Sequence, residues 1–523
     1  MIGSINRFVL RIVLSLLFYA TPVLGFWLAS SLAAYFGGPT WLEWAVGALL
    51  FPILPGFWEF YTWAWRDPNK KAFLTPLDRI GLRTFVIGLT FCIGVLCFYP
   101  QTAFVAISTR GDWMLNGKTD AQAETARHYL FAAANGLEWL YRYSKKNPYT
   151  DYIDENARKR TEVAEAQLAS QQATQTEASK ENDQDNSAVD ATASSDPIDI
   201  DMGKTEAISS DESSHTTAIP DMVPLRAFKK WPWKQTALHP VVVDMPKSAE
   251  TSISAVAHYI AQREKDPTLR IKALHDWVAD RVAYDSDAFY SGKIPAQDAQ
   301  TTFNKRLSVC AGYANLLSAL GDAIHERIVV VEGNARSSTD SFEDKLTGCG
   351  HAWNAAKIQG QWYLLDACWD AGYVDREKGF TKKYKTDYLL PPPAVMVKNH
   401  LPDDQTWQLL ATPLTQSEFL RQPMLSPAFQ AANLTLVSPD RARNEMGAKA
   451  VAVIKNPGKV WLETTLEQNG ASLNTTSAST NSDMAHLEQM LPNTGTYRMN
   501  IFMNKTNEYG LYQYVGSIDF VNR

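Results

Sequence analysis

Three residues in the second half of the chain have the types that cysteine acyl-transfer chemistry requires. Cys310 opens an apolar segment with helical spacing, and His351 and Asp366 lie in segments rich in Trp, Leu and Ala. A thiol attacks an amide or ester carbonyl only as the thiolate, so it needs a base and an environment that favours the anion. The unpaired amides of a first helical turn favour an anion and can also stabilise the oxyanion of a tetrahedral intermediate. We therefore predict Cys310 as nucleophile, His351 as base and Asp366 as the group that orients the imidazole.

The segments that carry the base and the acid are predicted to form one β-hairpin. Gln359-Gly360 is typical of a two-residue turn. In the register that this turn sets, His351 opposes Cys368 and Asp366 opposes Trp353. His351 and Asp366 are then diagonal neighbours on one face, a separation that side chains of their length can bridge.

The elements around these residues predict an α+β domain, because helices come first and strands follow. The periodicity of apolar residues predicts helices and the β-branched and aromatic runs predict strands. The predicted helices are Ser252 to Glu264, Leu269 to Val282 and Cys310 to about Ile324, and the predicted strands are Arg327 to Gly333, Gly350 to Ile358 and Gln361 to Trp369.

Several short segments between Thr268 and Leu410 also match a known family. They are Trp277-Val278, Tyr284-Asp285, Cys310-Ala311-Gly312-Tyr313-Ala314, His351-Ala352-Trp353-Asn354, Trp362-Tyr363-Leu364-Leu365-Asp366, Trp369-Asp370, His400-Leu401-Pro402 and Trp407-Gln408-Leu409-Leu410. This span resembles the transglutaminase-like superfamily, and within it the kyphoscoliosis-peptidase type of cysteine protease.

The resemblance implies a papain-like catalytic fold in which Cys310, His351 and Asp366 form the triad, with no metal or organic cofactor. Ser308 and Cys368 stand where a glycine and a threonine are common in such sequences, and neither departure removes a catalytic atom. Membership of the superfamily does not fix the reaction, because related sites hydrolyse, cross-link or only bind.

The first part of the chain is predicted to be a membrane anchor. Three apolar stretches, Ile12 to Phe36, Trp41 to Trp65 and Leu82 to Ile107, are each long enough for a helix to cross a bilayer. Lys and Arg residues precede the first stretch and fill the loop between the second and third, which places that loop and the N-terminus in the cytoplasm. We therefore predict a multi-pass inner-membrane protein whose C-terminal catalytic domain lies in the periplasm or outside the cell.

Composition divides the rest of the chain. We predict a membrane anchor at residues 1–110, a helical neck at 111–160, a disordered acidic and polar linker at 161–222, the transglutaminase-like domain at 223–430 and an immunoglobulin-like β-sandwich at 431–523. The linker prediction rests on the near absence of large apolar residues after Thr161, and the sandwich prediction rests on six or so short alternating segments.

The charge balance limits the kinds of partner. With 50 basic and 56 acidic residues the formal net charge is -6, which gives no basic excess for binding phosphates, so nucleic acid is an unlikely partner. We expect a protein or peptide substrate of the cell envelope instead. The pair Cys349 and Cys368 flanks the triad, and we predict two buried free thiols, with a disulfide as the alternative.

Two hypotheses of different class follow. The leading one is an enzyme that acts on amide bonds through a thioester on Cys310, with hydrolysis favoured over cross-linking because nothing in the sequence indicates an amine-binding subsite. The alternative is an envelope binding or scaffold protein with a vestigial triad.

Overall fold

The computed structural model describes residues 2–65, 74–118, 120–139, 147–170, 231–337, 350–375, 377–477 and 479–523. Within these ranges the chain forms a group of N-terminal helices, a mixed helix and strand region and a strand-rich C-terminal region. Cys349, and with it the predicted alternative of a disulfide to Cys368, lies outside the described residues.

The N-terminal helices include three spans that are long and apolar enough to cross a membrane, at Leu14–Tyr35, Thr40–Ala64 and Pro76–Phe98. The second span is two α-helices joined by a π-helical turn that contains Pro52, whose ring removes a backbone donor from the helical ladder. The helices are α1 Ile2–Tyr35, α2 Thr40–Ala48, α3 Leu54–Ala64 and α4 Pro76–Phe98.

The third span begins and ends earlier than the predicted Leu82 to Ile107. It begins after Thr75, whose hydroxyl accepts from the Asp78 amide while the Asp78 carboxylate accepts from the Thr75 amide, a reciprocal cap that fixes the helix start. It ends at Phe98, because Tyr99 leaves the helical conformation and Pro100 starts a new helix, α5 Pro100–Arg110. The prediction missed the start because the charged residues Asp78 and Arg79 interrupt the apolar run there, and it missed the end because the apolar run continues past Pro100.

Helix α5 lies between the anchor and the rest of the protein. Residues 103 to 110 are all buried. Phe104 and Val105 pack with Leu401 and Phe419, while Ala103 and Ile107 belong to a cluster on the anchor side. The next helix, α6 Ala121–Asn135, packs against α5.

The predicted disordered linker does not begin at residue 161. Residues 155–170 are helical, here α7, and this helix packs on the mixed region through Ala157, Thr161, Ala164 and Leu168, which follow helical spacing. The remainder of the predicted linker, 171–222, lies outside the described residues.

The mixed region has the predicted α+β character. The predicted helices agree within two residues with the observed helices Ile253–Arg263, Pro267–Arg281 and Cys310–Asp322, which pack with the strands around one core. Its helices are α8 Pro240–Val243, α9 Ile253–Arg263, α10 Pro267–Arg281, α11 Ser286–Ser291, α12 Ala299–Lys305, α13 Cys310–Asp322, α14 Ala367–Ala371, α15 Pro393–Met396 and α16 Gln416–Arg421. Its strands are β1 Ala283–Tyr284, β2 Leu307–Ser308, β3 Ile328–Ala335, β4 Gly350–Ile358, β5 Gln361–Leu365, β6 Gly372–Asp375, β7 Gly379–Lys382 and β8 His400–Pro402.

An antiparallel sheet of order β5-β4-β3-β8 supports helix α13. The β4–β5 hairpin has the predicted register, with Ile358 opposite Gln361. Gln359 and Gly360 both have positive φ, as a type I′ turn requires. The predicted extension of that pairing is wrong. Strand β5 ends at Leu365, and Asp366 is the N-cap of α14. Asp366 therefore does not oppose Trp353, and Cys368 does not oppose His351.

The C-terminal region is strand-rich, as predicted. The elements are β9 Met424–Leu425, α17 Pro427–Ala431, β10 Thr435–Ser438, β11 Arg443–Met446, β12 Lys449–Lys455, β13 Trp461–Gln468, β14 Ala471–Thr476, β15 Met484–Met490, β16 Gly495–Asn504 and β17 Gln513–Asn522. Two sheets face each other across a core to which both contribute, one of order β10-β12-β15 and the other of order β11-β17-β16-β13-β14, with short β9 added to β17. The immunoglobulin-like topology stays a prediction.

Candidate active site

Cys310 is the first residue of α13 and is 1 % exposed. Val309 before it is extended, and its amide donates to the buried Gln297 side chain at 3.0 Å, which fixes where the helix starts. Gly312 allows the first turn to lie against its neighbours, since a Cβ there would come within 2.4 Å of Thr302 Oγ1. The result is a thiol held at the positive end of a helix that is thirteen residues long.

His351 lies near the start of β4, and Asp366 caps α14. His351 Nε2 lies 2.6 Å from Asp366 Oδ2. Cys310 lies near enough to the His351 imidazole to raise its pKa, and because Nε2 is engaged by the carboxylate, Nδ1 is the ring nitrogen left for the thiol. The three predicted site residues are therefore together in the structure, in the order thiol, imidazole, carboxylate.

Asn354 ties the strand that carries the histidine to the helix that carries the thiol. Its side-chain amide donates to Ala314 O of α13 at 3.0 Å and to Val329 O of β3 at 3.2 Å. Asn354 is 1 % exposed, so these bonds are shielded from water. This contact explains why an asparagine follows the histidine by three residues.

Asp366 is held through both carboxylate oxygens. Oδ1 accepts the amides of Cys368 at 2.8 Å and Trp369 at 3.0 Å, which is an N-cap arrangement. Oδ2 accepts from His351 and from a second imidazole, that of His400, at 3.0 Å. Because β5 stops before Asp366, the orientation of this carboxylate comes from the helix cap rather than from the hairpin.

The charges of the group are set by burial and by these bonds. Burial by itself would lower the pKa of His351, but the Asp366 carboxylate and the Cys310 sulfur raise that pKa to about 10. Burial opposes ionisation of Asp366 too, yet His351 and His400 hold its pKa below the ordinary value. The favoured state is an imidazolium at His351 between two groups that can carry negative charge.

His400 was not predicted as a site residue. It lies on the three-residue strand β8, and its ring contacts those of Trp369 at 4.5 Å and of Trp353 and Tyr388 at 5.1 Å between centroids. Burial lowers its pKa to about 4 despite the nearby carboxylate, so this imidazole is neutral. His400-Leu401-Pro402 did match the family, but nothing in the local sequence indicated that its side chain would reach Asp366.

Cys368 lies next to the site, but the surroundings of its thiol disfavour the thiolate. Burial raises the pKa of the Cys368 thiol well above the ordinary value, and the nearby Asp366 and Cys310 add to the effect. Its backbone amide caps Asp366, and its side chain belongs to the core. A protonated buried thiol is a poor nucleophile, so Cys368 is a matched control for Cys310.

Ligand atoms of His351, Asp366 and His400 lie within 4.8 Å of one another, a grouping that a metal ion could occupy on distance alone. Both imidazoles already meet the same carboxylate oxygen at hydrogen-bonding distance. A cation there would have to displace the two N–H protons that make those bonds. We therefore assign the group to hydrogen bonding.

A second buried ionic cluster lies on α10 and α14. His275 Nδ1 is 3.1 Å from Asp276 Oδ1, and His275 Nε2 is 3.3 Å from Asp370 Oδ2. Lys272 Nζ binds Asp276 Oδ2 at 2.6 Å, and Tyr384 donates its hydroxyl to the same carboxylate. His275, Asp276 and Asp370 are fully buried, and the sequence gave no reason to expect them together.

Comparison with known proteins places the mixed region in a family. The family model of the transglutaminase-like superfamily matches residues 254–367, which include Cys310, His351 and Asp366. Kyphoscoliosis peptidase of Mus musculus is 23 % identical over 292 residues, an alignment that covers 53 % of this chain and 44 % of that protein. The Homo sapiens protein of the same name is 25 % identical over 219 residues, with 38 % and 33 % covered.

A solved structure described as a "Putative Cysteine Protease from Cytophaga hutchinsonii" is 23 % identical, with 28 % of this chain and 48 % of that chain covered and a TM-score of 0.19. The chain spans less than half the length of the two curated relatives above.

Proposed function

From the transglutaminase-like domain that residues 254–367 form, we propose that this chain is a membrane-anchored Cys-His-Asp enzyme that acts on amide bonds of envelope proteins or peptides. The observation that supports the proposal is the position of His351, whose pKa is raised by Cys310 on one side and whose Nε2 lies 2.6 Å from Asp366 Oδ2 on the other. Acyl transfer by a thiol needs this arrangement, in which an imidazole lies between the thiol and an orienting carboxylate.

The mechanism follows from these contacts. The Cys310 thiolate attacks the substrate carbonyl, and the amides at the start of α13 stabilise the oxyanion. His351, as imidazolium, gives its proton to the leaving amine when the carbon–nitrogen bond breaks and the thioester forms. Neutral His351 then takes a proton from water, which attacks the thioester, and the collapse of that adduct releases the acid product and the Cys310 thiolate, so that the thiolate and the His351 imidazolium are restored. Asp366 keeps the imidazole oriented throughout.

Hydrolysis is the favoured outcome of the second half of this cycle. Cross-linking needs an amine to replace water at the thioester, and nothing in the sequence indicates a subsite for one. The substrate class is therefore proposed as the amide bond of a protein or peptide, released by water.

We test the nucleophile by alkylating the detergent-solubilised full chain with iodoacetamide at pH 6 and reading each cysteine by mass spectrometry. Cys310 should react at least about tenfold faster than Cys368, because only a thiolate reacts and Cys368 is held as the thiol. Cys310→Ala should lose all acyl-enzyme formation with p-nitrophenyl acetate, whereas Cys368→Ala should keep it. Retention of acylation by Cys310→Ala would contradict the mechanism.

A binding or scaffold role is the second candidate, and the burial of the site favours it. Cys310 is 1 % exposed and His351 is 6 % exposed, so a substrate carbonyl must displace neighbouring groups to reach the sulfur. The alkylation experiment separates the two functions. If Cys310 reacts no faster than Cys368, the triad is vestigial and the scaffold role is the better description.

We further propose that the N-terminus is cytoplasmic and that the catalytic domain lies in the periplasm. Three apolar spans support a membrane anchor, and an odd number of crossings moves the chain to the side opposite its N-terminus. A phosphatase fused after residue 120 should be active in periplasmic assays, and one fused at residue 69 should be inactive. The reverse pattern would place the catalytic domain in the cytoplasm.

A further inference from the structure

We propose that His400 is a positioning residue of the catalytic group, donating a second N–H to Asp366 and so fixing the carboxylate that orients His351. The inference deepens the proposed function and rests on it. His400 touches neither the thiol nor the reacting carbonyl in this scheme, so its effect passes through Asp366.

The hydrogen bonds of Asp366 show what His400 contributes. Oδ1 is tied to two backbone amides, which fix that end of the carboxylate. Oδ2 meets His351 at 2.6 Å and His400 at 3.0 Å. Without His400, His351, the group that moves the proton, is the only donor to Oδ2 among the residues that the structure describes. With His400, one donor on that oxygen stays in place while the other changes charge.

The sheet explains how His400 comes to this place. Strand β3 pairs with β4 on one side, where Gly333 faces His351, and with β8 on the other, where Ala335 faces His400. Gly333 permits this approach, since a Cβ there would lie 2.3 Å from Leu401 O and 2.6 Å from the Trp353 ring. Both imidazoles are therefore carried by one three-stranded unit.

The protonation state of His400 suits a positioning role. Donation to a carboxylate requires the proton on Nε2, and Nδ1 is a buried atom with no hydrogen-bond partner among the described residues. A charged His400 would repel the His351 imidazolium, whereas the neutral ring adds a donor without adding a second positive charge. The ring is clamped by Trp369, Trp353 and Tyr388, so it cannot easily turn away.

The test replaces His400 with Phe, which keeps a ring and removes the donor, and with Gln, whose amide nitrogen can take the place of Nε2. Turnover of p-nitrophenyl acetate by the detergent-solubilised full chain is measured from pH 4 to pH 11. We expect His400→Phe to lower kcat about tenfold or more with KM nearly unchanged, because the orientation of the base is lost. The acid limb of its profile should move to higher pH, since one of the bonds that keeps Asp366 ionised is gone. His400→Gln should restore most of kcat and the position of the acid limb.

Two results would overturn the inference. One is a wild-type kcat and acid limb for His400→Phe, and the other is an equal loss of kcat for Phe and Gln with the acid limb unmoved. If His400→Phe does not fold, as judged by its melting curve, His400→Leu is measured in its place against the same outcomes. A Cys310→Ala variant measured beside them separates the two proposals. Full activity of Cys310→Ala would contradict the proposed enzymatic function. If Cys310→Ala is inactive and His400→Phe has wild-type kcat, only the role of His400 is contradicted.

Discussion

Two buried imidazole–carboxylate clusters lie in the same domain, one around His351 and the other around His275. In the first, one carboxylate accepts from two imidazoles, and a cysteine lies beside His351 and raises its pKa. In the second, one imidazole lies between two carboxylates, and Lys272 completes the neutralisation. Burial and a paired aspartate are therefore common to both, and neither identifies a catalytic histidine. The difference is the partner on the far side of the ring, which is the Cys310 thiol in one cluster and a second carboxylate in the other.

Helix α14 connects the two clusters. Asp366 caps its start, and Asp370 lies one turn later, where its carboxylate accepts the Tyr388 amide at 3.1 Å and faces His275. Tyr388 in turn contacts the His400 ring. The His275 cluster thus contacts the same helix whose N-cap residue, Asp366, orients His351.

The largest expected effect comes from exchanging the same residue type in the two clusters. His351→Gln should lower turnover of p-nitrophenyl acetate by about 10²- to 10⁴-fold, because the proton carrier is lost. His275→Gln should keep most of the turnover per folded molecule and instead lose about 3–5 kcal/mol of stability, since two buried carboxylates lose a cationic partner. Melting curves and turnover of both variants check the prediction. A large loss of turnover in a well-folded His275→Gln would remove the distinction between the clusters.

A pH series sharpens the same comparison. Burial would lower the pKa of His275, but hydrogen bonds and attraction from Asp276 and Asp370 raise it to about 9. A raised folded-state pKa means that the stabilisation is complete below the unfolded value of about 6.5 and is lost as the pH rises through about 9. The difference in melting temperature between wild type and His275→Gln should therefore be largest near pH 6 and should shrink by pH 10. A difference that grows with pH would show that His275 stabilises the fold as the neutral ring.

The smallest expected effect is on stability, and it comes from a third ionic group, next to the anchor. Asp112 Oδ2 lies 2.9 Å from Arg127 Nε and 2.5 Å from Arg441, whose side chain is 28 % exposed. Because solvent screens this pair, Arg441→Gln should cost only about 1 kcal/mol, which is about a fivefold faster hydrogen exchange of α5 amides. Lys449→Gln removes an exposed pair with Glu488 far along the strand region and serves as the control. Equal exchange of α5 in the two variants would show that Arg441 does not help to hold the anchor.

The sequence was sufficient for the parts of the site that depend on local pattern. The helix that begins at Cys310, the strand that carries His351 and the β4–β5 register all follow from periodicity and turn chemistry, and the structure has them. The end of β5 at Leu365 was missed because residues of apolar and aromatic type continue to Trp369, while the Asp366 side chain caps a helix instead. His400 and the His275 cluster were missed for a different reason. They depend on which strands and helices become neighbours, and a single sequence carries no local signal of that pairing.

Segments of weak apolar character were the other source of error. Residues 161–170 are poor in large side chains, yet Ala164 and Leu168 fit against the sheet beside Trp407, whose indole N–H donates to Glu165 at 2.8 Å. Composition measures how much apolar surface a segment can bury, whereas packing depends on the shape of the groove that receives it.

Helix α5 sets where the domain that carries Cys310 lies relative to the anchor. It follows the last apolar span after a single residue, Tyr99, and it is buried between the anchor and the domain that carries Cys310. Arg421 of α16 adds a bond to Ser108 O at 3.0 Å. With the three spans in a bilayer, this packing holds Cys310 at one height above the lipid. Under the proposed function, a peptide bond would then be selected by its distance from the membrane as well as by its side chains, and the same sequence nearer to the membrane or farther from it would not be cleaved.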